Sequence, residues 1–260
     1  MNYISSVDNK IFKEVCSLKS KRYRYLNKCH LIEGIRFVQE ALLCDGILNY
    51  IVIDESKKDF LFDKLNLSDL GIKVYIFSDV LFSKIKQTEN TQGIIANVKM
   101  ALECKNFKFN DGIYFLIDRI QDPGNLGTII RTAVAVNALG VIIVKGTVDI
   151  YNDKVLRSTM GSIFKIDIYF IENYFVLDEF LHNGFKFVIA DSCGEKIYYN
   201  ENLIGKIILA VGNEGNGLSD EIKNFPHLSV VIPMCNNLES LNVAQALSVI
   251  AFEYVRQNDI

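Results

Sequence analysis

The fold is decided by one stretch in the middle of the chain, Ile113-Tyr-Phe-Leu-Ile117-Asp-Arg-Ile-Gln-Asp-Pro-Gly-Asn125-Leu-Gly-Thr-Ile-Ile-Arg131. Its first five residues form an apolar run that predicts a buried strand, and the Pro-Gly pair after it is typical of a turn. Asn125 is a good helix N-cap, so we predict a helix over residues 125–138 with Arg131 nearly two turns into it. A strand, a turn and a helix in this order are typical of an open α/β sheet, whose binding crevice lies at the carboxyl ends of its strands.

Two later stretches also place small, polar or charged residues directly after apolar runs. They are Ala210-Val-Gly-Asn-Glu214-Gly-Asn-Gly217-Leu218 and Ile232-Pro-Met-Cys-Asn-Asn-Leu-Glu-Ser240-Leu-Asn242-Val-Ala244. The closely spaced glycines of the first let the backbone approach a ligand, and a charged Glu214 in such a loop indicates a role beyond packing. Their spacing is neither that of a Walker loop nor that of the dinucleotide fingerprint. Ser240 or Asn242 could cap the apolar helix that follows or could face a substrate, and both readings stay open.

Strong apolar runs recur through the second half of the chain. Strands are predicted at 113–117, 141–144, 187–190, 207–211 and 230–232, and helices at 125–138, 153–160, 174–183, 218–223 and 242–257. Continuous β-branched runs separated by helices predict strands that are covered on both faces, and therefore a mostly parallel sheet.

The first half alternates helices and strands on a shorter period. Strands are predicted at 50–53, 74–77 and 94–98, and helices at 34–43, 57–66 and 79–86. We predict a small α/β domain over residues 1–105 and a second domain over 106–260. The boundary is placed in the polar, irregular stretch 101–111, because domains usually join in such segments.

Composition excludes several classes of protein. Half of the residues are apolar, yet the longest apolar runs are far shorter than a membrane span and the N-terminus does not have the pattern of a leader. The six cysteines are scattered without a C-x-x-C pair, which argues against zinc and disulfides and favours free thiols in a reducing cytoplasm. All three histidines (His30, His182 and His227) lie outside the three stretches, which argues against acid–base catalysis by histidine.

Basic residues outnumber acidic ones in residues 1–105, and the reverse holds in 106–260. The segment Lys10–Lys28 is the most basic part of the chain, with Glu14 as its one acid and Tyr23 and Tyr25 interleaved. Such a segment could hold phosphates and stack bases, or it could be a solvated helix face followed by a loop. Our candidates for nucleic-acid contacts are Lys10, Lys19, Lys21, Arg22 and Arg24.

Taken together, the three stretches resemble the three signature motifs of the SpoU/TrmH family of RNA ribose 2′-O-methyltransferases, within the SPOUT superfamily. The residues that carry the resemblance are Asn125-Leu-Gly-Thr-Ile-Ile-Arg131, Val211-Gly-Asn-Glu-Gly-Asn-Gly-Leu218 and Ile232-Pro-Met followed by Glu239-Ser-Leu-Asn-Val-Ala244. Their order and spacing match over residues 113–257. A weaker resemblance covers residues 29–44, which are similar to the family's N-terminal substrate-binding domain with its ribosomal-protein-like fold.

The resemblance implies a C-terminal trefoil knot that holds S-adenosylmethionine, with a homodimer formed through the knotted region. The implied cofactor contacts are Leu209, Gly212, Ile232, Met234 and Leu241. The implied catalytic set is Arg131, with Asn125, Glu214, Ser240 and Asn242 positioning RNA and cofactor. No metal is required by this chemistry.

The expected reaction moves a methyl group to a ribose hydroxyl of RNA. Because a guanidinium stays protonated, we expect Arg131 to grip a phosphate and stabilise the developing alkoxide, while that phosphate or water takes the proton. The extra N-terminal domain favours ribosomal RNA over transfer RNA. Two alternatives are a catalytically silent RNA-binding protein on the same fold and a nicotinamide-dependent oxidoreductase, whose G-x-G-x-x-G fingerprint the chain lacks.

Overall fold

The computed structural model describes residues 2–100, 106–191, 193–194, 196–236 and 238–259. The chain divides into two compact units, the first comprising Met1–Ala101 with Tyr151–Phe164 and the second Leu102–Ile150 with Lys165–Ile260. The sequence-based division at residue 105 did not anticipate that a segment of the second half belongs to the first unit. Part of the predicted boundary, residues 101–105 with Cys104, lies outside the described residues.

The elements alternate along the chain much as the apolar pattern predicts. Those before residue 100 are β1 (Asn2–Ile4), α1 (Lys10–Ser17), α2 (Lys21–Asn27), β2 (Cys29–Glu33), α3 (Ile35–Leu42), β3 (Leu48–Asp54), α4 (Lys58–Leu65), β4 (Lys73–Phe77), α5 (Asp79–Ile85) and β5 (Ile94–Lys99). Those after residue 106 are β6 (Gly112–Ile117), α6 (Pro123–Ala135), β7 (Gly140–Val144), α7 (Asp153–Thr159), β8 (Ile168–Ile171), α8 (Val176–His182), β9 (Lys186–Ala190), β10 (Lys196–Ile197), β11 (Lys206–Val211), α9 (Asp220–Lys223), β12 (His227–Val231) and α10 (Val243–Asn258).

The first unit is built on a mixed five-stranded sheet in the order β1-β4-β3-β5-β2. β1, β4 and β3 run parallel, whereas β5 is antiparallel to both β3 and β2. Helix α1 packs its apolar face, Phe12 and Val15, into a core that also holds Val52 and Phe77. The predicted small α/β domain is therefore present in the first unit.

The second unit is built on a seven-stranded sheet in the order β10-β12-β9-β11-β6-β7-β8. Every described strand pair in it is parallel, which confirms the predicted mostly parallel sheet. Its central strands are buried on both faces, as their continuous apolar sequences require. One side of the sheet packs on an aromatic core that includes Tyr114, Phe180 and Phe187.

The register brings the carboxyl ends of the central strands to one edge of the sheet. Val211 pairs with Ile117, so the glycine-rich loop after β11 begins beside Asp118. Ala190 pairs with Val230, so the stretch that begins at Ile232 emerges near the same edge. The three stretches singled out from the sequence thus leave the sheet together.

The sequence pattern missed four strands, namely β2 and the three short strands β1, β8 and β10. Two to four residues carry too little pattern to be read as a strand without their sheet neighbours. The start of α6 was also wrong, because the helix begins at Pro123 instead of Asn125. The implied knot stays a prediction. Within the described residues, no helix is long and apolar enough to cross a membrane.

Candidate active site

Helix α6 begins at a residue that the sequence analysis did not choose. Asp122 is its N-cap, and the Asp122 carboxylate accepts a hydrogen bond from the backbone N–H of Asn125 at 2.8 Å. Pro123 occupies the first helical position, where its fixed φ and missing N–H cost nothing. Because Asp122 takes the capping role, the Asn125 side chain lies in the first turn and is available for other bonds.

Asn125 joins the second and third stretches through its side-chain amide. Its Nδ2 donates to Oε1 of Glu214 at 2.9 Å, and its Oδ1 accepts from Nδ2 of Asn242 at 2.9 Å. Asn242 also caps α10, since its Oδ1 accepts from the backbone N–H of Ala244. Asn242 is therefore the helix cap, and it also belongs to the hydrogen-bond network with Asn125 and Glu214.

Glu214 is held by more than the Asn125 amide. Its carboxylate also accepts from the backbone N–H groups of Gln121 at 3.4 Å and Asp122 at 3.3 Å. Partial burial by itself would raise the pKa of Glu214, but these hydrogen bonds outweigh it and hold the pKa below the usual glutamate value. Glu214 is therefore an ionised acceptor that fixes its neighbours, and a carboxylate of this kind is a poor general base at neutral pH.

The loop that carries Glu214 is closed on itself by backbone pairing. Asn213 and Gly217 exchange two backbone hydrogen bonds of 2.9 Å, and Gly217 has a positive φ of 67°. A Cβ on Gly212 would overlap the backbone of Gly217, so only glycine fits at that position. The glycine spacing is thus explained by close approach of backbone to backbone.

Asn213 organises this loop and was not among the predicted site residues. Its Oδ1 accepts from the backbone N–H groups of Gly215 and Asn216 at 3.0 Å each. Its Nδ2 donates to the carbonyl oxygen of Arg119 at 3.1 Å, which ties the loop to the first stretch. The local signal for this role was a short amide residue beside glycines, which favours side-chain bonds to the following backbone.

Asp118 provides a second tie between the same two segments. It is fully buried, and its Oδ2 accepts from the backbone N–H of Ser219 at 2.6 Å while its Oδ1 lies 3.1 Å from Nε of Arg119. Arg119 has a positive φ of 58°, an uncommon conformation for a side chain of its size. The sequence signal for this residue was an acidic side chain directly after an apolar run.

A cavity of about 870 Å³ lies at this edge of the second unit. It contains most of the predicted residues: Gly212, Glu214, Ile232, Met234, Ser240, Leu241 and Asn242. Leu209 lies within β11 with its side chain fully buried and does not line the cavity. Asn125 does not line it either, but it is bonded to Glu214 and Asn242, which do.

Four charged or titratable residues on the wall were not among the predicted site residues: Asp191, Lys223, His227 and Glu239. His227 begins β12, so it lies about 13 Å along that strand from Val231, at a rise of about 3.3 Å per residue. Its Nδ1 is 2.8 Å from the carbonyl oxygen of Phe225. This histidine is thus placed away from the Asn125 network. In the described ranges, no group of three or more His, Cys, Asp or Glu residues is arranged to hold a metal ion.

Arg131 lies on α6 two turns beyond its N-terminus and is exposed. At 100° per residue it shares a face with Thr128 and Ala135, which are also exposed, whereas Thr132 is turned toward α10 and lies 2.8 Å from Ser248. The guanidinium of Arg131 makes no hydrogen bond or ion pair within the described residues. Arg131 is therefore accessible to a ligand, but it is not among the residues that line the cavity.

Comparison with known proteins identifies this arrangement. The model of the SpoU rRNA methylase family matches residues 112–252, more than half of the chain, and includes all three stretches. The chain belongs to the SpoU rRNA methylase family. A second model, for an MRM3-like substrate binding domain, matches residues 9–96, which confirms the resemblance found in the N-terminal half.

Several relatives match this SpoU-family chain over nearly their whole length and so share both parts of it. It is 34% identical to the 23S rRNA (guanosine(2553)-2′-O)-methyltransferase RlmP of Bacillus subtilis, over 97% of this chain and 98% of that protein. Its fold is similar to that of an AdoMet-bound rRNA methyltransferase from Sinorhizobium meliloti, with a TM-score of 0.84 and 27% identity over 98% and 97% of the two chains. The SpoU methyltransferase AviRb from Streptomyces viridochromogenes gives a TM-score of 0.84 with 25% identity over 96% and 98%.

The predicted RNA contacts of this SpoU-family protein lie on α1, α2 and the turn between them. Lys10, Lys19, Lys21 and Arg22 are exposed. Arg24 is buried instead, and its Nη1 donates to the carbonyl oxygens of Leu18 at 3.3 Å and Lys19 at 2.9 Å. Arg24 thus satisfies carbonyl groups that the end of α1 leaves without a helical partner, which the basic pattern alone could not reveal.

Proposed function

We propose that this SpoU-family enzyme transfers a methyl group from S-adenosylmethionine to a ribose 2′-hydroxyl of ribosomal RNA. The observation that carries the proposal is the Glu214–Asn125–Asn242 network, which joins all three stretches beside one cavity. The names of the relatives support it, because RlmP is a 23S rRNA 2′-O-methyltransferase and the Sinorhizobium meliloti protein is an rRNA methyltransferase with AdoMet bound.

The cavity suits a cofactor built from a nucleoside and an amino acid. Its volume lies within the usual range of about 300–1,000 Å³ for small-molecule sites. Its wall combines apolar side chains, such as Val211 and Leu241, with a tightly folded backbone loop whose Gly212 admits no side chain. Ile232, Met234 and Leu241 would hold the cofactor from the third stretch. S-adenosylmethionine supplies there a methyl group on a positively charged sulfur.

The chain's own groups are suited to orient an RNA ribose and stabilise negative charge. Arg131 presents a protonated fork that can grip a phosphate in two places and stabilise an oxygen as it loses its proton. Glu214 is ionised and bonded, so we assign it to positioning Asn125 and leave the proton to the RNA phosphate or to water. Ser240 lines the cavity without capping α10 and is available to a substrate. This chemistry needs no metal ion.

The enzyme is proposed to act as a homodimer in the cytoplasm. Phe252 on α10 is 52% exposed, and a dimer contact through this helix would cover it. Sedimentation equilibrium tests the dimer, and a monomer at micromolar concentration would contradict it. Cys193 and Cys235 are exposed free thiols, as expected in a reducing compartment, and cell fractionation tests this location.

The first experiment is methyl transfer from radiolabelled S-adenosylmethionine into unmodified ribosomal RNA and, separately, transfer RNA. A 2′-O-methyl group blocks alkaline cleavage, so the label should appear in an alkali-resistant dinucleotide from ribosomal RNA. Arg131→Ala serves as the inactive control, and its cofactor affinity is measured in parallel. Cofactor binding without any label in either RNA would favour a silent RNA-binding protein, and absence of cofactor binding would refute the proposal.

A further inference from the structure

The first unit contains a second cavity, of about 300 Å³, that the proposed reaction does not use. It is lined by Leu18, Lys19, Arg24, Leu31, Lys86, Gln87, Tyr151, Asn152 and Asp153. Its residues come from the end of α1, from α2, from β2, from the end of α5 and from the start of α7 with the segment before it. All of them belong to the first unit. We call it the basic cavity.

Three of the residues that line the basic cavity are cationic and one is acidic. Lys19, Arg24 and Lys86 line it, and the one carboxylate, Asp153, is already paired with Nη1 of Arg157 at 2.9 Å. The ammonium groups of Lys19 and Lys86 donate to backbone carbonyl oxygens, at 2.9 and 3.2 Å, and neither meets a carboxylate in the described part of the chain. Bringing cations together in a concave, partly buried space is unfavourable unless an anion enters it.

The surroundings of the cavity suit a nucleotide better than a free anion. Tyr151 on its wall is buried, and the exposed ring of Tyr25 packs edge-on against it with ring centroids 6.2 Å apart. The ammonium of Lys21 lies 5.5 Å from the centroid of the Tyr25 ring, over its face. The wall therefore continues into exposed aromatic and cationic groups of α2, the combination that binds single-stranded nucleic acid by stacking and phosphate contact.

Hydrogen-bonding groups are also available for a base or ribose. The side-chain amide of Gln87 lines the cavity and makes no hydrogen bond to any described residue. It offers two donors and an acceptor. A volume of about 300 Å³ is at the lower end for a ligand site, which is suited to a single nucleotide more than to a large cofactor.

We infer that the basic cavity binds one nucleotide of the RNA substrate, with a phosphate among Lys19, Arg24 and Lys86 and the base against Gln87 and the tyrosines. The inference rests on the proposed function, since it takes RNA as the substrate. It extends that function by assigning a contact to residues outside the three methyltransferase motifs. Lys86, Gln87 and Tyr151 were not among the RNA contacts expected from the sequence.

The test uses the full-length protein and compares Lys86→Glu with Lys73→Glu. Lys73 is an exposed lysine of β4 that does not line the cavity, so the two variants change the net charge of the same unit equally. The readouts are the Kd for an unmodified ribosomal RNA fragment, measured without cofactor at several salt concentrations, and the KM and kcat of methyl transfer. Gln87→Ala is a second cavity variant that removes no side-chain hydrogen bond among the described residues.

We expect Lys86→Glu to raise Kd and KM about tenfold and to reduce the salt dependence of binding by about one phosphate contact. Gln87→Ala should raise KM about threefold, and Lys73→Glu less than twofold. Cofactor affinity should stay the same in all three. A 4-thiouridine-substituted fragment should cross-link to a peptide that contains Tyr25 or Tyr151.

Equal Kd values for Lys86→Glu and Lys73→Glu, with an unchanged Gln87→Ala, would overturn the inference. The proposed function would survive that result if Arg22→Glu, on the exposed face of α2, still weakened RNA binding and the wild type still methylated RNA. Because Kd is measured without methylation, it tests whether the basic cavity binds RNA even if the wild type transfers no methyl group. A wild type that binds no RNA overturns both.

Discussion

The candidate active-site edge of the second unit, where Asn125, Glu214 and Asn242 meet, differs from the basic segment of the first unit in how its residues are held. At the active-site edge, Asn125, Glu214 and Asn242 come from distant parts of the chain and bond to one another. In the basic segment, Lys10, Lys21 and Arg22 are exposed, and among the described residues no hydrogen bond joins them to one another. Substitutions in the network should therefore have large and non-additive effects on activity. Substitutions in the basic segment should have modest, nearly additive effects on RNA binding, and these effects should depend on salt.

The largest effect should come from Arg131→Lys. Lysine keeps the charge but loses the planar fork, so it cannot hold a phosphate in two places. We expect kcat to fall by about 100-fold or more with cofactor affinity unchanged, which is the magnitude typical of a lost transition-state donor. Single-turnover methylation and calorimetric titration of S-adenosylmethionine measure the two quantities. Near-normal activity of this variant would show that only the charge matters.

Gly212→Ala should have the next largest effect, on cofactor binding. A Cβ there overlaps the backbone of Gly217, so the loop could close only by shifting. We expect the affinity for S-adenosylmethionine to fall about 100-fold, since the displaced loop forms part of the cavity wall. Gly215→Ala is the matched comparison, because its Cβ would meet only Oδ1 of Asn213 at 3.6 Å, and its loss should be several times smaller. Equal losses would mean that chain flexibility matters more than close approach.

The network itself is tested by Asn125→Ala, Glu214→Ala and the double variant. Each single change should lower kcat/KM about 30-fold, and the double variant should be little worse than either alone. The reason is that both residues act through the same hydrogen bond, so a coupling of about 2 kcal/mol is expected. Independent, multiplying losses would contradict a shared role. Thermal unfolding of each variant separates this effect from loss of stability.

In the second unit, buried strands could be predicted from the sequence more accurately than the start of a helix. Apolar runs long enough to span a buried strand, such as Ile207–Val211, were assigned correctly, because burial on both faces leaves a continuous pattern. The start of α6 was misplaced because Asp122 and Asn125 are both good caps, and the choice depends on Pro123 taking the first helical position. Pro123 is a local signal for the earlier start, because proline is preferred at the first helical position, but the sequence analysis assigned it to the turn.

Contacts between residues that are far apart in the chain could not be predicted from the sequence. Asp118 accepts from Ser219, 101 positions further along the chain, and nothing local to either residue indicates that bond. The same holds for Tyr151, which joins the wall of a cavity in the first unit although it lies in the second half of the chain. The signature motifs named Asn125, Glu214 and Asn242, whereas the role of Asn213, which ties the glycine-rich loop to Arg119, required the structure.

The smallest effect on activity, and the sharpest test of the comparison, is the pair Arg22→Ala and Arg24→Ala. The two arginines lie two positions apart and look equivalent in the sequence, but Arg22 is exposed whereas Arg24 is buried and bonded to the carbonyl oxygens of Leu18 and Lys19. Arg24→Ala should lower the free energy of unfolding by about 2 kcal/mol, because it leaves buried carbonyls without a charged donor. Arg22→Ala should leave stability within about 0.5 kcal/mol and raise the Kd for RNA about threefold, with a weaker salt dependence.

Chemical denaturation and RNA titration of the same two proteins measure both effects. If both variants lost RNA affinity equally with unchanged stability, Arg24 would be a simple surface contact and the assigned burial would be wrong. Because the basic cavity is inferred to hold a phosphate beside Arg24, Arg24→Ala should lose RNA affinity as well as stability, and its guanidinium then serves the fold and the basic cavity together. That result would mean that the first unit, like the active-site edge, uses a residue fixed by internal bonds to bind RNA, and the contrast between the two regions would then be one of degree.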